Sequence, residues 1–131
     1  MYELAVKTNT RTEMLDITRS IQKIASEQNW QSGLLTIFVP HTTAALTINE
    51  NADPDVQRDM LMEMNKVVPF EDGYRHFEGN SAAHIKASLF GSSEVVILEK
   101  GQLQLGTWQG IYFCEFDGPR QRKVWLKFMS K

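Results

Sequence analysis

Trp108-Gln109-Gly110-Ile111-Tyr112-Phe113-Cys114-Glu115-Phe116 is the stretch that decides the fold. Successive side chains of a strand point to opposite faces, so Trp108, Tyr112, Cys114 and Phe116 share one face while Ile111 and Phe113 take the other. Both faces want cover. Helices on both sides of the sheet would supply it, and so would a neighbouring subunit against one face; periodicity does not choose between them. The strand-like run begins at Leu105 and ends in the turn Asp117-Gly118-Pro119-Arg120, after which Val124 to Met129 reads as a further strand.

Upstream, Glu94 to Leu98 forms another strand, with a turn at Lys100-Gly101. At the other end of the chain, Tyr2, Leu4 and Val6 alternate with polar neighbours, and Glu13 to Leu15 is a short second strand. Three helices lie between. Ile17, Ile21, Ile24 and Ala25 follow helical spacing from Asp16 as N-cap to about Asn29. Pro54 opens a second helix through Val56, Met60, Met64 and Val67, stopped by Pro69. Asn80 or Ser81 caps a third, Ala82 to Leu89. Leu34 to Val39 is an apolar run of strand length closed by Pro40, and Ala45 to Ile48 is a strand too. Strands early and late with helices between predict an α+β domain with a mainly antiparallel sheet, residues 1–131 forming one unit.

Composition narrows the function. The 131 residues are 42% hydrophobic and 23% charged, which is the balance of an ordinary globular domain. A net charge of -2 argues against a nucleic-acid footprint, and no apolar run is long enough to span a membrane. Met1-Tyr2-Glu3 lacks the basic start of a signal peptide, and the single Cys114 excludes a disulfide within the subunit, so the cytoplasm is the expected location. Cys114 in an apolar strand reads as a buried thiol, and the sequence holds no GxSxG elbow, P-loop or GxGxxG.

The chemistry concentrates around the three histidines. His41 follows the buried strand and is trailed by Thr42 and Thr43; His76 follows Arg75 in a charged and aromatic loop; His84 lies in the third helix, after Glu78-Gly79-Asn80-Ser81. Three imidazoles with a nearby carboxylate match a zinc site with one open position, whereas Asp55 and Asp59, one helical turn apart, offer with Asp53 and Glu50 the oxygen ligands that magnesium prefers, although acidic residues in a first helical turn are ordinary dipole complements and Asp59 reads best as one. For any one histidine, a core or surface role is the commoner outcome; the crowding of Asn49, Glu50, Asn51 and the threonines favours a shared site. The Gly79-Asn80-Ser81 lead-in brings a helix N-terminus that can hold a phosphate, with Arg75 close by, although simple capping is commoner.

Four separated motifs carry a resemblance: Pro40-His41-Thr42-Thr43-Ala44-Ala45, Asn49-Glu50-Asn51-Ala52-Asp53-Pro54, Glu78-Gly79-Asn80-Ser81-Ala82-Ala83-His84 and Gly106-Thr107-Trp108-Gln109, followed by Gly118-Pro119-Arg120. The chain resembles the YjbQ-type family, also called secondary thiamine-phosphate synthase, over nearly its whole length. The resemblance implies a strongly curved sheet, a homotrimer, and a pocket near subunit boundaries. That pocket would include His41, Thr42, Asn49, Glu50, Asn51, His76, Glu78, Asn80 and His84. It also implies, in some members, a bound divalent ion, here Mg or Zn on His41, His76 and His84. The implied activity joins hydroxymethylpyrimidine diphosphate to thiazole phosphate with release of diphosphate. In that reaction His84 is the first choice for acid or base, with Glu50 and His41 as its catalytic companions, while Arg75 and the N–H groups around Asn80 and Ser81 stabilise the leaving group. Two other readings stand beside it: a non-catalytic trimer that binds a metal or a phosphorylated metabolite, and a metal-assisted hydrolase.

Overall fold

The computed structural model describes residues 1–131. In chain order the elements are β1 (Tyr2–Lys7), β2 (Glu13–Asp16), α1 (Thr18–Glu27), β3 (Gly33–Phe38), β4 (Ala44–Glu50), α2 (Pro54–Val67), α3 (Ser81–Phe90), β5 (Ser93–Glu99), β6 (Gln102–Leu103), β7 (Gln109–Glu115) and β8 (Gln121–Ser130). Every strand pairing is antiparallel. Five strands form one sheet in the order β1-β8-β3-β5-β6, and three form another in the order β2-β7-β4. Together they make the curved, single-domain α+β arrangement that the alternating patterns require.

The two sheets face each other across the main core. Leu35 and Ile37 of β3, Val96 and Leu98 of β5, and Val124 and Leu126 of β8 point inward against Leu46 of β4 and Ile111 and Phe113 of β7. Ile21, Ile24 and Ala25 of α1 join the same cluster, as their helical spacing predicts. Each fully buried side chain of this size contributes about 1.5–3 kcal/mol.

The opposite face of β7 is also covered from within the chain. Tyr112, Cys114 and Phe116 pack with Ala45 of β4 and with Ala83 and Ala87 of α3, and Leu61 of α2 closes against them. The small alanines let α3 approach the sheet closely. Both faces of this strand are therefore filled by one chain, one by the second sheet and the other by helices, and β7 itself asks for no neighbour. Trp108 lies before the strand and is exposed.

Three sequence expectations change in detail. The run from Leu105 becomes a strand only at Gln109, because the Gln109 N–H bonds the Gly106 carbonyl at 3.0 Å and its side-chain Oε1 accepts from the Gly106 N–H at 2.8 Å. These bonds close a turn. Asn80 occupies the N-cap position of α3 but makes no side-chain capping bond; its Nδ2 donates instead to Asp117 Oδ2 at 2.8 Å. At α1 the N-cap is Ile17, which makes no side-chain capping bond, and not Asp16; Asp16 stands one residue earlier, because the helix starts only at Thr18, and its Oδ1 accepts from the Thr18 N–H at 2.9 Å.

Candidate functional site

A polar cleft opens where the β3–β4 loop, the start of α3 and the β7–β8 turn converge. Its volume is about 780 Å³, and two of its 14 lining residues are hydrophobic. Pro40 ends β3 and sends the next residues across the sheet end, so His41 and Thr42 line the cleft. The segment between α2 and α3 delivers His76, Glu78 and Asn80, and the first turn of α3 delivers His84. The expected gathering of all three histidines around one cavity is thus observed.

Their geometry is specific. The rings of His76 and His84 meet edge to face, with centroids 5.6 Å apart and planes at 89°. His76 Nε2 stands 3.9 Å from Glu78 Oε1, ion-pair distance for a protonated ring but too long for a hydrogen bond. His41 is held differently: its Nε2 accepts the backbone N–H of Lys123 at 3.0 Å. Burial, and then the positive charge of Arg122, hold the His41 ring below its ordinary pKa of 6.5. Within the chain, no group of three or more His, Cys, Asp or Glu side chains stands where it would hold a metal ion. The three-histidine ligand set expected for Mg or Zn is therefore not assembled by one chain, and His41 Nε2 is already engaged by the Lys123 N–H.

Three charged residues that sequence reasoning did not single out complete the lining: Asp117, Arg120 and Arg122. Arg120 donates from Nε to the Asp117 carbonyl at 2.8 Å and from Nη2 to Asp117 Oδ2 at 3.0 Å, and the same carboxylate holds Asn80. That contact fixes the amide of Asn80 with its Oδ1 buried and unpaired. Arg122 lies deeper, its guanidinium forked onto both carboxylate oxygens of Glu115. Gly118-Pro119-Arg120 was the available signal, yet a turn motif carries no hint that its arginine reaches a distant histidine loop.

Other expected site residues lie elsewhere. Asn49, Glu50 and Asn51 occupy the far end of β4: Ala44 pairs with Glu115 beside the cleft, whereas Glu50 pairs with Gln109. Six strand steps separate them from the cleft, about 20 Å. There the Glu50 carbonyl accepts from Tyr112 Oη at 2.9 Å and from Gln57 Nε2, and the Asn51 N–H bonds the Trp108 carbonyl at 2.8 Å. Asn51 also packs on Gly110, where an added Cβ would come within 2.8 Å of the Asn51 Cβ. Asp53 caps α2 by accepting from the Asp55 N–H at 2.9 Å, and Asp55 pairs with Arg58. Arg75 is exposed and Ser81 opens α3, and neither lines the cleft.

Comparison with known proteins resolves the family. The family model described as UPF0047 protein YjbQ-like matches residues 2–131. The chain belongs to this YjbQ-like family. UPF0047 protein YugU of Bacillus subtilis is 56% identical over 128 residues, covering 97% of each chain. UPF0047 protein MJ1081 of Methanocaldococcus jannaschii is 47% identical over 130 residues, covering 99% of this chain and 94% of its own. Among solved structures, a YjbQ/UPF0047 family protein from Clostridium acetobutylicum superposes with a TM-score of 0.95 at 54% identity, covering 98% of this chain and 100% of the other. A conserved hypothetical protein from Thermus thermophilus gives 0.92 at 41% identity, covering 98% and 100%. The YjbQ-like fold thus extends over the full set of elements that build the cleft. No helix of the chain is long and apolar enough to cross a membrane.

Proposed function

We propose that the cleft handles a phosphorylated small molecule, and that the reaction is the joining of hydroxymethylpyrimidine diphosphate to thiazole phosphate. The carrying observation is the lining: imidazoles of His41, His76 and His84 and guanidiniums of Arg120 and Arg122 converge on one open cavity. Such a surface suits an anionic ligand better than an apolar one. In the reaction the thiazole nitrogen forms a bond to the pyrimidine methylene carbon, the carbon–oxygen bond to diphosphate breaks, and its electron pair leaves with the diphosphate. The ring nitrogen takes the positive charge. Arg120 and the histidine N–H groups stabilise the charge gathering on the leaving group, and His84 serves as the acid that protonates it.

The working unit in this reading is a homotrimer. Support comes from the outer face of the five-stranded sheet, where Leu34, Ile97 and Met129 are 47%, 51% and 65% exposed and lie side by side in register. Phe38 stacks on Trp125 on the same sheet, with ring centroids 5.8 Å apart. A second copy would cover this apolar surface, and in this reading a neighbour's Asn49, Glu50 and Asn51 complete the cleft.

The test mixes purified protein with both substrates and Mg²⁺ and follows thiamine phosphate. Product above the level of a His84→Ala control supports the synthase; none at high enzyme concentration overturns it. A second reading, binding of a phosphorylated metabolite without turnover, draws on the distance of Glu50 from the cleft in its own chain. Saturable pyrophosphate binding with no product would favour it. Metal-assisted hydrolysis needs a ligand set that one chain does not assemble.

A further inference from the structure

Two successive residues of β8 hold the loop that carries His41. Arg122 points into the molecule, where its Nη2 donates to Thr43 Oγ1 at 2.8 Å and to the Thr43 carbonyl at 3.3 Å, while its Nε donates to Glu115 Oε1 at 2.8 Å. Lys123, the next residue, donates its backbone N–H to His41 Nε2. The side chain of one residue and the main chain of the next thus fasten the same loop at positions 43 and 41.

The second contact decides the chemistry of His41. A backbone amide can only donate, so Nε2 must present its lone pair. A neutral imidazole with an accepting Nε2 carries its proton on Nδ1. The fork beneath is rigid, since Glu115 is fully buried and is itself held by Thr8 Oγ1 at 2.8 Å and by the Asp117 N–H at 3.0 Å.

We propose that Arg122 is a positioning residue that, through Thr43 and the adjoining Lys123 N–H, fixes His41 as a neutral Nδ1–H donor to an oxygen of the ligand in the cleft. His41 is then a hydrogen-bond donor, and a metal ion cannot take its Nε2 without displacing the Lys123 amide. The phosphoryl nature of that oxygen rests on the reading of the cleft given above; the tautomer and the clamp do not.

The experiment is two-bond ¹H–¹⁵N correlation NMR of the full-length protein at pH 7.5, with His41 assigned by its loss in His41→Gln. The proposal requires the Nδ1–H tautomer in the wild type; the Nε2–H tautomer overturns it. In Arg122→Lys, which keeps the charge but loses the fork, the His41 signals should move toward a tautomer average while those of His76 and His84 hold. Unchanged His41 signals overturn the role of Arg122. Because Arg122→Lys unsettles a buried pair, Thr43→Val serves beside it, removing only the hydroxyl, and must shift His41 in the same direction. Inorganic pyrophosphate is the ligand probe: its affinity should fall about tenfold in Arg122→Lys. If the tautomer is as required but pyrophosphate does not bind the wild type, the phosphate reading fails and the clamp stands.

Discussion

Arg122 and Glu115 form a two-pronged ion pair with 5% and 0% of their side chains exposed, and it joins the five-stranded sheet to the three-stranded sheet directly under the cleft. A buried pair is dangerous to break because the survivor is left charged and unpaired. Arg122→Ala should lose about 3–5 kcal/mol. The double variant Arg122→Met with Glu115→Leu should regain most of it, and urea unfolding measures both.

The same carboxylate gives the protein an acid limit. Burial alone would raise the Glu115 pKa, but the hydrogen bonds from Arg122, the Asp117 N–H and Thr8 outweigh it and hold the carboxyl below its ordinary 4.5. A depressed carboxylate contributes stability above its unfolded-state pKa and loses it as pH falls through the folded one. Between pH 5 and pH 3 the unfolding free energy should therefore fall more steeply in the wild type than in the double variant. Parallel profiles would contradict this.

Lys86 sets a slope of the same sign in the alkaline range. Its ammonium is fully buried, donates to Asn65 Oδ1 at 2.6 Å and lies 3.9 Å from the centre of the Phe70 ring, while Arg11 stands 3.7 Å from that ring. Burial, and then the Arg11 charge, lower its pKa from 10.5 to about 8. With the folded value below the unfolded one, the unfolded chain binds more protons between the two, so the Lys86 contribution rises as pH climbs from about 8 to 10.5. The stability difference between wild type and Lys86→Met should shift in favour of the wild type across that window. A pH-independent difference would rule the shift out.

If the neighbouring copy supplies Glu50 to the cleft, inactive His84→Ala and inactive Glu50→Ala chains should complement each other. Mixed after partial denaturation and reassembly, they form some sites with both residues intact, and thiamine phosphate synthesis should reappear. No recovery in demonstrably mixed oligomers would place Glu50 outside the site.

If the chain assembles as the proposed homotrimer through its outer sheet, a charge there should separate the copies. Leu34→Glu sits between Met129 and Ile97 on the exposed face and cannot be buried cheaply there. Light scattering should give three times the 15.0 kDa chain mass for the wild type and a single chain for the variant. Equal masses would move the interface elsewhere.

Local periodicity made much of this molecule readable. The helical spacing of Ile17, Ile21 and Ile24 and the alternation through Ile111 to Phe116 each report a side-chain direction, and both hold in three dimensions. What covers a face is a long-range matter, so the two-faced β7 left open a choice that only the packing of Ala83 and Ala87 resolves. The site divided along the same line. His41, His76 and His84 stood out by residue type, but Arg122 lies ahead of the strand read at Val124 to Met129, and nothing local marks it until its partner 7 residues earlier is placed beneath it. Asn49 to Asn51 lie away from the cleft of their own chain because β4 is extended, and each residue beyond Ala44 carries them about 3.3 Å farther along the strand.

The seclusion of Cys114 has a practical side. Its thiol lies in the inner packing of β7, fully buried, and burial pushes its pKa well above the ordinary 9.0. Alkylating reagents will pass it by in the folded protein. A cysteine introduced at exposed Ser88, on the rim where α3 meets His41 and Thr42, will be the one thiol that takes a dye. The native chain thus needs no prior removal of sulfur before a fluorophore at that rim reports, in real time, what enters and leaves.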